Sequence, residues 1–264
     1  MTKQVRTMQI VSIPCSFDNY SYLIICEETG AAAIIDPAEY YPVSQAIERL
    51  GVRLQAVYCT HHHADHIGGL EDLRDEFPGL PVYGHESDKR RIPGMNSLLT
   101  DGSNIHVGDI AGQVLHTPGH TTGSLCYLLE DALFTGDTLF GSGCGRLFEG
   151  SPKQMYEALN KRIKSLPAET KVYFGHEYTV HNLKFAAFVE PENQAVGKRL
   201  AQIIALREKG QPTTPSTLQI EGHTNPFLRC AEKNIIDSVA AKCIGEALDP
   251  LSIFTALRRL RDSF

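Results

Sequence analysis

The chain has 264 residues, which is the length of one or two domains and is sufficient to bury a core without disulfides. Its formal net charge of −6 argues against a general nucleic-acid surface, although local basic clusters stay open. Met8–Ile13 is too short for a signal-peptide core, no later apolar run approaches a membrane span, and the seven cysteines form no CxxC pair. We therefore expect a cytoplasmic protein with reduced thiols that binds neither membranes nor nucleic acid.

Up to about Phe174 the chain alternates between short apolar runs and turns. Tyr20–Ile25 and Ala31–Pro37 are predicted to pair as strands around a turn at Glu28–Gly30. A helix is predicted over Val43–Leu50 with Gly51 as its C-cap, followed by a strand over Leu54–Cys59. Further predictions are strands near 114–115, 124–129, 132–135 and 171–174, and a helix over 152–165 that Ser151 caps.

After His176 the pattern becomes helical. Amphipathic helices are predicted over 183–189, 193–209, 233–247 and 250–260, with a loop over 210–215. We therefore predict an α+β protein with a strand-rich domain at 1–176 and a smaller helical domain at 177–264.

Four residues with metal-ligating side chains follow the strand at Leu54–Cys59. His61 and His63 are two apart, so in extended backbone their imidazoles point the same way, while His62 points to the opposite side. Asp65 and His66 lie where the chain turns toward a helix, and their side chains can serve a second ion. Imidazole with carboxylate suits zinc, iron or manganese rather than calcium. A polar loop that caps a helix is the alternative.

Three further ligand-type residues follow apolar runs. They are His120 in Pro-Gly-His-Thr, Asp137 in Gly-Asp-Thr and His176 in Gly-His-Glu. Each alone would be an ordinary surface turn, but their recurrence after successive strands supports a shared metal site. Asp36 ends another strand, where it either orients a ligand or loop or makes a simple Asp-Pro turn.

The motifs HxHxDH, PGHT, GDT and GHE, in this order, resemble those of the metallo-β-lactamase superfamily. That resemblance implies an αββα sandwich and two divalent transition-metal ions, with zinc favoured and iron or manganese as alternatives. It assigns His61, His63 and His120 to one ion, assigns Asp65, His66 and His176 to the other, and makes Asp137 the bridge. It also implies that a hydroxide between the ions is the nucleophile, with Asp65 and Asp137 as the catalytic residues.

The similarity to the glyoxalase II (hydroxyacylglutathione hydrolase) family covers nearly the whole chain. It rests on 136–150, on Gly-His-Glu-Tyr-Thr at 175–179, on Asn-Pro-Phe-Leu-Arg at 225–229 and on the last eight residues. It implies hydrolysis of S-D-lactoylglutathione, or related 2-hydroxyacyl thioesters, to D-lactate and glutathione, the second step of methylglyoxal detoxification. The implied substrate contacts are Arg146, Phe148, Tyr178, Arg258 and Arg261.

Three positions depart from the family pattern. Some members have tyrosine in place of Phe148, and some have lysine in place of Arg146 and Arg261. Cys144, beside the predicted site, either packs or touches substrate. The alternatives for function are a mono-iron glutathione persulfide dioxygenase of the same fold and a non-enzymatic protein that binds metal or glutathione. We expect a monomer.

Overall fold

The computed structural model describes residues 7–243, 245 and 247–264, which divide into two compact units. The first unit comprises the chain up to His116 together with Gly123–Gly136. The second comprises Thr117–Thr122 and Asp137–Phe264. The predicted domain boundary at residue 176 stays a prediction.

One sheet of the first unit is mixed. Its strands, in spatial order, are β1 (Met8–Cys15), β2 (Asn19–Cys26), β3 (Ala31–Ile35), β4 (Arg53–Tyr58), β5 (Val82–His85) and β6 (Ser97–Leu99). The strands β1, β2 and β3 pair antiparallel, whereas the pairs from β3 to β6 are parallel. Parallel neighbours need a crossover, which α1 (Tyr40–Leu50) supplies between β3 and β4. As predicted, α1 ends at Gly51, which has a φ of 61°.

A second group of strands in this unit is an antiparallel meander. It contains β7 (Asn104–Val107), β8 (Ile110–His116), β9 (Leu125–Leu129) and β10 (Ala132–Gly136). Two short helices follow β4 along the chain, α2 (Ala64–Ile67) and α3 (Leu70–Glu76).

Because successive side chains of a strand point to opposite faces, the two faces of the mixed sheet pack against different neighbours. Leu23 and Ile34 belong to a core cluster that also contains residues of α1 and α3. Tyr22, on the opposite face of β2, meets Phe134 of β10 edge-on at 5.4 Å. The first unit therefore stacks helices, the mixed sheet and the meander in that order.

The second unit is mainly helical. Its helices are α4 (Pro152–Glu157), α5 (Thr179–Val189), α6 (Gln194–Glu208), α7 (Leu218–Thr224), α8 (Lys233–Lys242) and α9 (Pro250–Ser263). Its strands are the hairpin β11 (Leu139–Phe140) and β12 (Gly143–Cys144) and the pair β13 (Lys171–Phe174) and β14 (Ser216–Thr217). The predicted helix over 152–165 is helical throughout, but a π-helical turn and a 3-10 turn follow α4. Ser151 caps it as predicted and forms a capping box with Gln154.

Buried polar side chains anchor the β11–β12 hairpin within the second unit. The Asn182 amide donates to the Gly141 carbonyl at 3.1 Å, and Asn225 donates to the Gly143 carbonyl at 3.0 Å. Buried Arg199 pairs with Glu221 at 2.6 Å, and Glu221 accepts from the Ser142 amide. The hairpin matters because the chain that leaves it forms one wall of the candidate site.

Several elements differ from prediction. The helix predicted over 233–247 ends at Lys242, and residues 244 and 246 of that prediction lie outside the described part. The helix predicted from Leu183 begins at Thr179, because polar Thr179 and Asn182 are buried on it. The strands β1, β5, β6 and β7 and the helix α7 were not predicted. Within the described residues no helix is both long and apolar enough to cross a bilayer.

Candidate metal centre and substrate cavity

The histidine-rich loop of the first unit begins where β4 ends. His61 and His66 are buried, His63 is partly buried and Asp65 is exposed. His61 Nε2 lies 3.1 Å from His63 Nδ1, so the two rings converge as the spacing predicts. Asn19 holds the start of α2 by donating to the Asp65 backbone carbonyl at 2.9 Å.

His62 is directed elsewhere, as predicted. Its Nδ1 lies 3.6 Å from Oδ1 of Asp88, a fully buried carboxylate. Its Nε2 lies 3.3 Å from the Arg91 guanidinium, which also binds Asp88. His62 therefore faces the Asp88–Arg91 ion pair and stays outside the predicted ligand set.

Asp36 sets the orientation of two predicted ligand histidines in this unit, His61 and His66. Its backbone φ is +49°, which aims the buried carboxylate at the start of the loop. One oxygen accepts from the Thr60 amide at 2.7 Å; the other accepts from the Thr60 hydroxyl at 2.6 Å and lies 2.9 Å from His66 Nδ1. The role in orienting a ligand, one of two alternatives for Asp36, is the one these contacts support.

These hydrogen bonds decide which ring nitrogens stay available. A carboxylate only accepts, so His66 carries its proton on Nδ1 and presents a lone pair at Nε2. The single proton of the Thr60 hydroxyl is donated to Asp36, so this oxygen accepts from His61 Nδ1 at 3.0 Å. His61 therefore also presents Nε2. Atoms of Asp36, His61 and His66 lie within 4.8 Å of one another.

The second unit places a carboxylate between two histidines. Asp137 Oδ2 lies 3.4 Å from His120 Nε2, and Oδ1 lies 3.5 Å from His176 Nε2. All three side chains are buried. One oxygen toward each imidazole is one of the arrangements by which a carboxylate can bridge two ions.

The segment after the β11–β12 hairpin hydrogen-bonds to the ring and to the backbone of His120. His120 Nδ1 donates to the Arg146 carbonyl at 2.7 Å, which leaves Nε2 for a metal. The amides of Phe148 and Glu149 donate to the His120 carbonyl at 3.2 and 3.3 Å. A Cβ on Gly145 would lie 1.9 Å from the Asp137 carbonyl oxygen, so only glycine fits there.

A cavity of about 380 Å³ adjoins two of these predicted ligands within the second unit. His120 and Asp137 line it together with the arginines of α9, Arg258 and Arg261. Burial, and then the charge of Arg258, lowers the pKa of Arg261. Burial also lowers the pKa of His181 on the same wall, as do Arg261 and Lys184. The cavity is therefore electropositive in a protein that is acidic as a whole.

The other predicted substrate contacts line the same cavity. The Tyr178 ring stacks on His176 with centroids 4.8 Å apart, and Phe148 meets His120 edge-on at 5.2 Å. Arg146 lies over Phe148, and its Nε is 3.4 Å from Asp262. Cys144 is buried there, and burial raises the pKa of its thiol.

Sequence reasoning missed four contributors to this arrangement: Thr60, Gly145, His181 and Asn182. His181 had a signal, because it lies three residues after Tyr178, on the same face of a helix. Thr60 acts through its hydroxyl, Asn182 through its amide and Gly145 through its lack of a side chain, and no spacing reveals these contacts.

The donor sets suit borderline transition metals. Histidine nitrogens with their lone pairs aimed inward and carboxylate oxygens are the ligands of zinc, iron and manganese, whereas calcium would require oxygen donors alone. Each unit thus fits the share of a metal centre that its residues are predicted to supply.

Comparison with known proteins agrees with this chemistry. Residues 17–176 match the model of the metallo-beta-lactamase superfamily, and residues 177–264 match that of the hydroxyacylglutathione hydrolase C-terminus. A hydroxyacylglutathione hydrolase from Thermosynechococcus vestitus is 44% identical over 97% of this chain and 100% of its own length. Its counterpart from Alkalilimnicola ehrlichii is also 44% identical, over 96% of this chain and 98% of its own.

Solved structures share the fold. ETHE1 from Myxococcus xanthus is 28% identical with a TM-score of 0.65, covering 97% of this chain and 99% of that one. The B3 metallo-beta-lactamase BLEG-1 is 25% identical with a TM-score of 0.64, covering 83% and 99%. The predicted fold class, with its helical C-terminal region, and the predicted metal-dependent hydrolase are confirmed. The chain belongs to the metallo-beta-lactamase superfamily and, within it, to the hydroxyacylglutathione hydrolase family.

Proposed function

We propose that this protein hydrolyses S-D-lactoylglutathione and related 2-hydroxyacylglutathiones to the hydroxy acid and glutathione, the second step of methylglyoxal detoxification. One observation carries the proposal: His120 and Asp137, two proposed metal ligands, share a cavity with Arg146 and Arg261. A glutathione thioester has a carbonyl to be attacked and two carboxylates to be bound, and this cavity offers chemistry for both. The names of the relatives support the same substrate.

We assign two divalent ions to the centre, with zinc favoured and iron or manganese as alternatives. His61, His63 and His120 are the proposed ligands of one ion, and Asp65, His66 and His176 those of the other. Asp137 is the proposed bridge, supported by its distances of 3.4 and 3.5 Å to the two histidines of its own unit. When bound, such ions supply Lewis acidity that activates water and polarises a carbonyl.

The chain's own groups then perform three tasks. Asp65, which is exposed, accepts a hydrogen bond from the attacking water and orients it. Arg261, Arg146 and Tyr178 bind the glutathione part, the arginines through charge-assisted hydrogen bonds to its carboxylates. The thiolate of glutathione is a stable leaving group, so the site needs no general acid.

Phe148 changes one detail of substrate binding. Its ring is 61% exposed at the cavity rim, and it offers apolar contact where a tyrosine would add a hydroxyl. We propose that it packs against the substrate and shields His120 from water. We place the activity in the cytoplasm, in agreement with seven free cysteines, and propose a monomer.

The test is release of D-lactate and free thiol from S-D-lactoylglutathione by the zinc-loaded protein. The control substrate is a lactoyl thioester of a simple thiol without carboxylates, for which we expect a much lower kcat/KM. Equal rates on both thioesters would contradict glutathione recognition. Oxygen consumption with glutathione persulfide, at about one iron per chain, would contradict the hydrolase and favour the dioxygenase.

A further inference from the structure

Arg258 is predicted by resemblance to contact substrate, yet its guanidinium is engaged within the protein. The side chain is only 6% exposed and lies over the Phe227 ring at 5.2 Å. Nη1 donates to the Cys144 carbonyl at 2.9 Å and reaches the Gly145 carbonyl at 3.4 Å. Nη2 donates to Asp262 at 3.0 Å.

The backbone segment that Arg258 binds continues to the carbonyl that accepts a hydrogen bond from His120, a proposed metal ligand. Arg146 follows Gly145, and its carbonyl accepts the Nδ1 proton of His120 at 2.7 Å. Gly145 itself packs against Asp137, since a Cβ there would collide with the Asp137 carbonyl oxygen. A shift of the Cys144–Arg146 backbone would therefore move the acceptor that sets both the tautomer and the direction of His120.

The bonds of Arg258 are well suited to prevent such a shift. A planar guanidinium can bind the two carbonyls through Nη1 and the Asp262 carboxylate through Nη2 at once, whereas an ammonium has a single nitrogen. Asp262 fixes the other end of the fork, and Phe227 covers one face of the guanidinium plane. The group is thus held in place by Asp262 of α9 and by the buried Phe227 ring.

We infer that Arg258 is a positioning residue for His120: through the Cys144 and Gly145 carbonyls it holds the Arg146 carbonyl that orients this ligand. This inference deepens the proposed function and rests on it for the metal centre, but its main consequence is metal affinity, which is measured without substrate. Removal of the fork leaves His120 free to rotate or to change tautomer. Partners that orient a metal-ligating histidine typically contribute 10- to 100-fold to metal affinity.

The test compares Arg258→Met and Arg258→Lys in the full chain. Zinc affinity is measured by competition with a chromophoric chelator, and the visible spectrum is recorded for the cobalt-substituted protein. We expect Arg258→Met to weaken zinc binding by about 10-fold or more and to change the cobalt spectrum. Arg258→Lys, which keeps one donor and the charge, should lose less. In the metal-free protein, the Nδ1 proton of His120 should exchange faster in both variants.

The matched control is Arg261→Met, which removes a cation from the same helix and the same cavity. Arg261 donates to the Asn182 side chain at 3.2 Å. Within the described part of the chain it makes no hydrogen bond to the carbonyls of Cys144 and Gly145. We expect it to raise KM while zinc affinity stays within threefold of wild type.

Three results would overturn the inference. One is wild-type zinc affinity and cobalt spectrum in both Arg258 variants with KM raised, which would make Arg258 a substrate contact only. Another is a lower melting temperature without any change in metal binding, which would make its role purely structural. The third, if Arg258→Met does not fold, is an Arg258→Lys protein with wild-type zinc affinity and wild-type His120 proton exchange. Absence of lactoylglutathione turnover in the wild type would refute the proposed function and leave these metal measurements decisive.

Discussion

Replacement of Asp36 by asparagine tests how the first unit prepares its histidines. Asn tolerates the positive φ of 49° at this position, so the backbone should stay in place. The amide has one accepting oxygen, whereas the carboxylate accepts the Thr60 amide, the Thr60 hydroxyl and His66 Nδ1 at 2.7, 2.6 and 2.9 Å. If the oxygen of the new asparagine side chain keeps the hydrogen bond from the Thr60 backbone amide, its NH₂ group faces His66 Nδ1 and donates a hydrogen bond to that nitrogen.

That reversal moves the proton of His66 to Nε2, the nitrogen proposed to bind metal. His66 is 1% exposed, so water cannot replace the lost acceptor. Loss of one hydrogen bond to a buried charged group amounts to about 2 kcal/mol, which corresponds to roughly 30-fold in affinity. We therefore expect Asp36→Asn to bind zinc about 30-fold more weakly in chelator competition, while the fold by circular dichroism is unchanged.

A matched control separates this effect from general destabilisation. Glu190→Gln removes a buried carboxylate that pairs with Arg229 at 2.9 Å, within the second unit and outside the proposed ligand set. It should lower the free energy of unfolding by about 3 kcal/mol without any change in zinc affinity. Zinc affinity within threefold of wild type in Asp36→Asn would refute the tautomer argument.

Three further changes give distinct readouts. Asp137→Ala should lose metal and activity together, since one carboxylate is proposed to serve both ions; two ions per chain in the variant, by elemental analysis, would refute the bridge. Arg261→Met should raise KM about tenfold, the cost of one charge-assisted hydrogen bond, and should raise the pKa of His181 measured by NMR, because Arg261 lowers it now; an unchanged His181 titration would contradict the electropositive cavity. Burial lowers the pKa of His85, and the neighbouring His116 lowers it further, so on acidification the unfolded chain binds this proton before the folded protein does. The free energy of unfolding therefore falls as the pH drops through about 6.5. His85→Asn, which keeps an acceptor for the Ser87 amide, should flatten that fall in urea unfolding, and an equal slope would refute it.

The parts of the fold that could be predicted are those with a local signal. The β2–β3 hairpin has strong alternation and a Gly turn, and α1 has both a helical period and Gly51. The strands β5 and β6 are three or four residues long, too short to show a period. The strand β5 forms because β4 offers an edge to pair with, and β6 then pairs with β5. The polar N-terminal turn of α5 is helical because Asn182 binds the β11–β12 hairpin, a contact made by residues 41 positions apart.

The proposed ligand residues could be singled out for a related reason, since a metal site built on strand ends would leave histidine and aspartate at the boundaries of apolar runs. Which ring nitrogen each imidazole presents to a metal is determined by residues elsewhere in the chain. Asp36 and Thr60 determine it for His66 and His61, and a backbone carbonyl determines it for His120. A carbonyl has no residue identity, so no substitution at Arg146 would reveal its role, and the contact becomes testable only through the residues that hold that backbone. This is why Arg258, which the sequence predicts to contact substrate, is an informative position: its side chain acts on a backbone acceptor of His120 that mutation cannot reach directly.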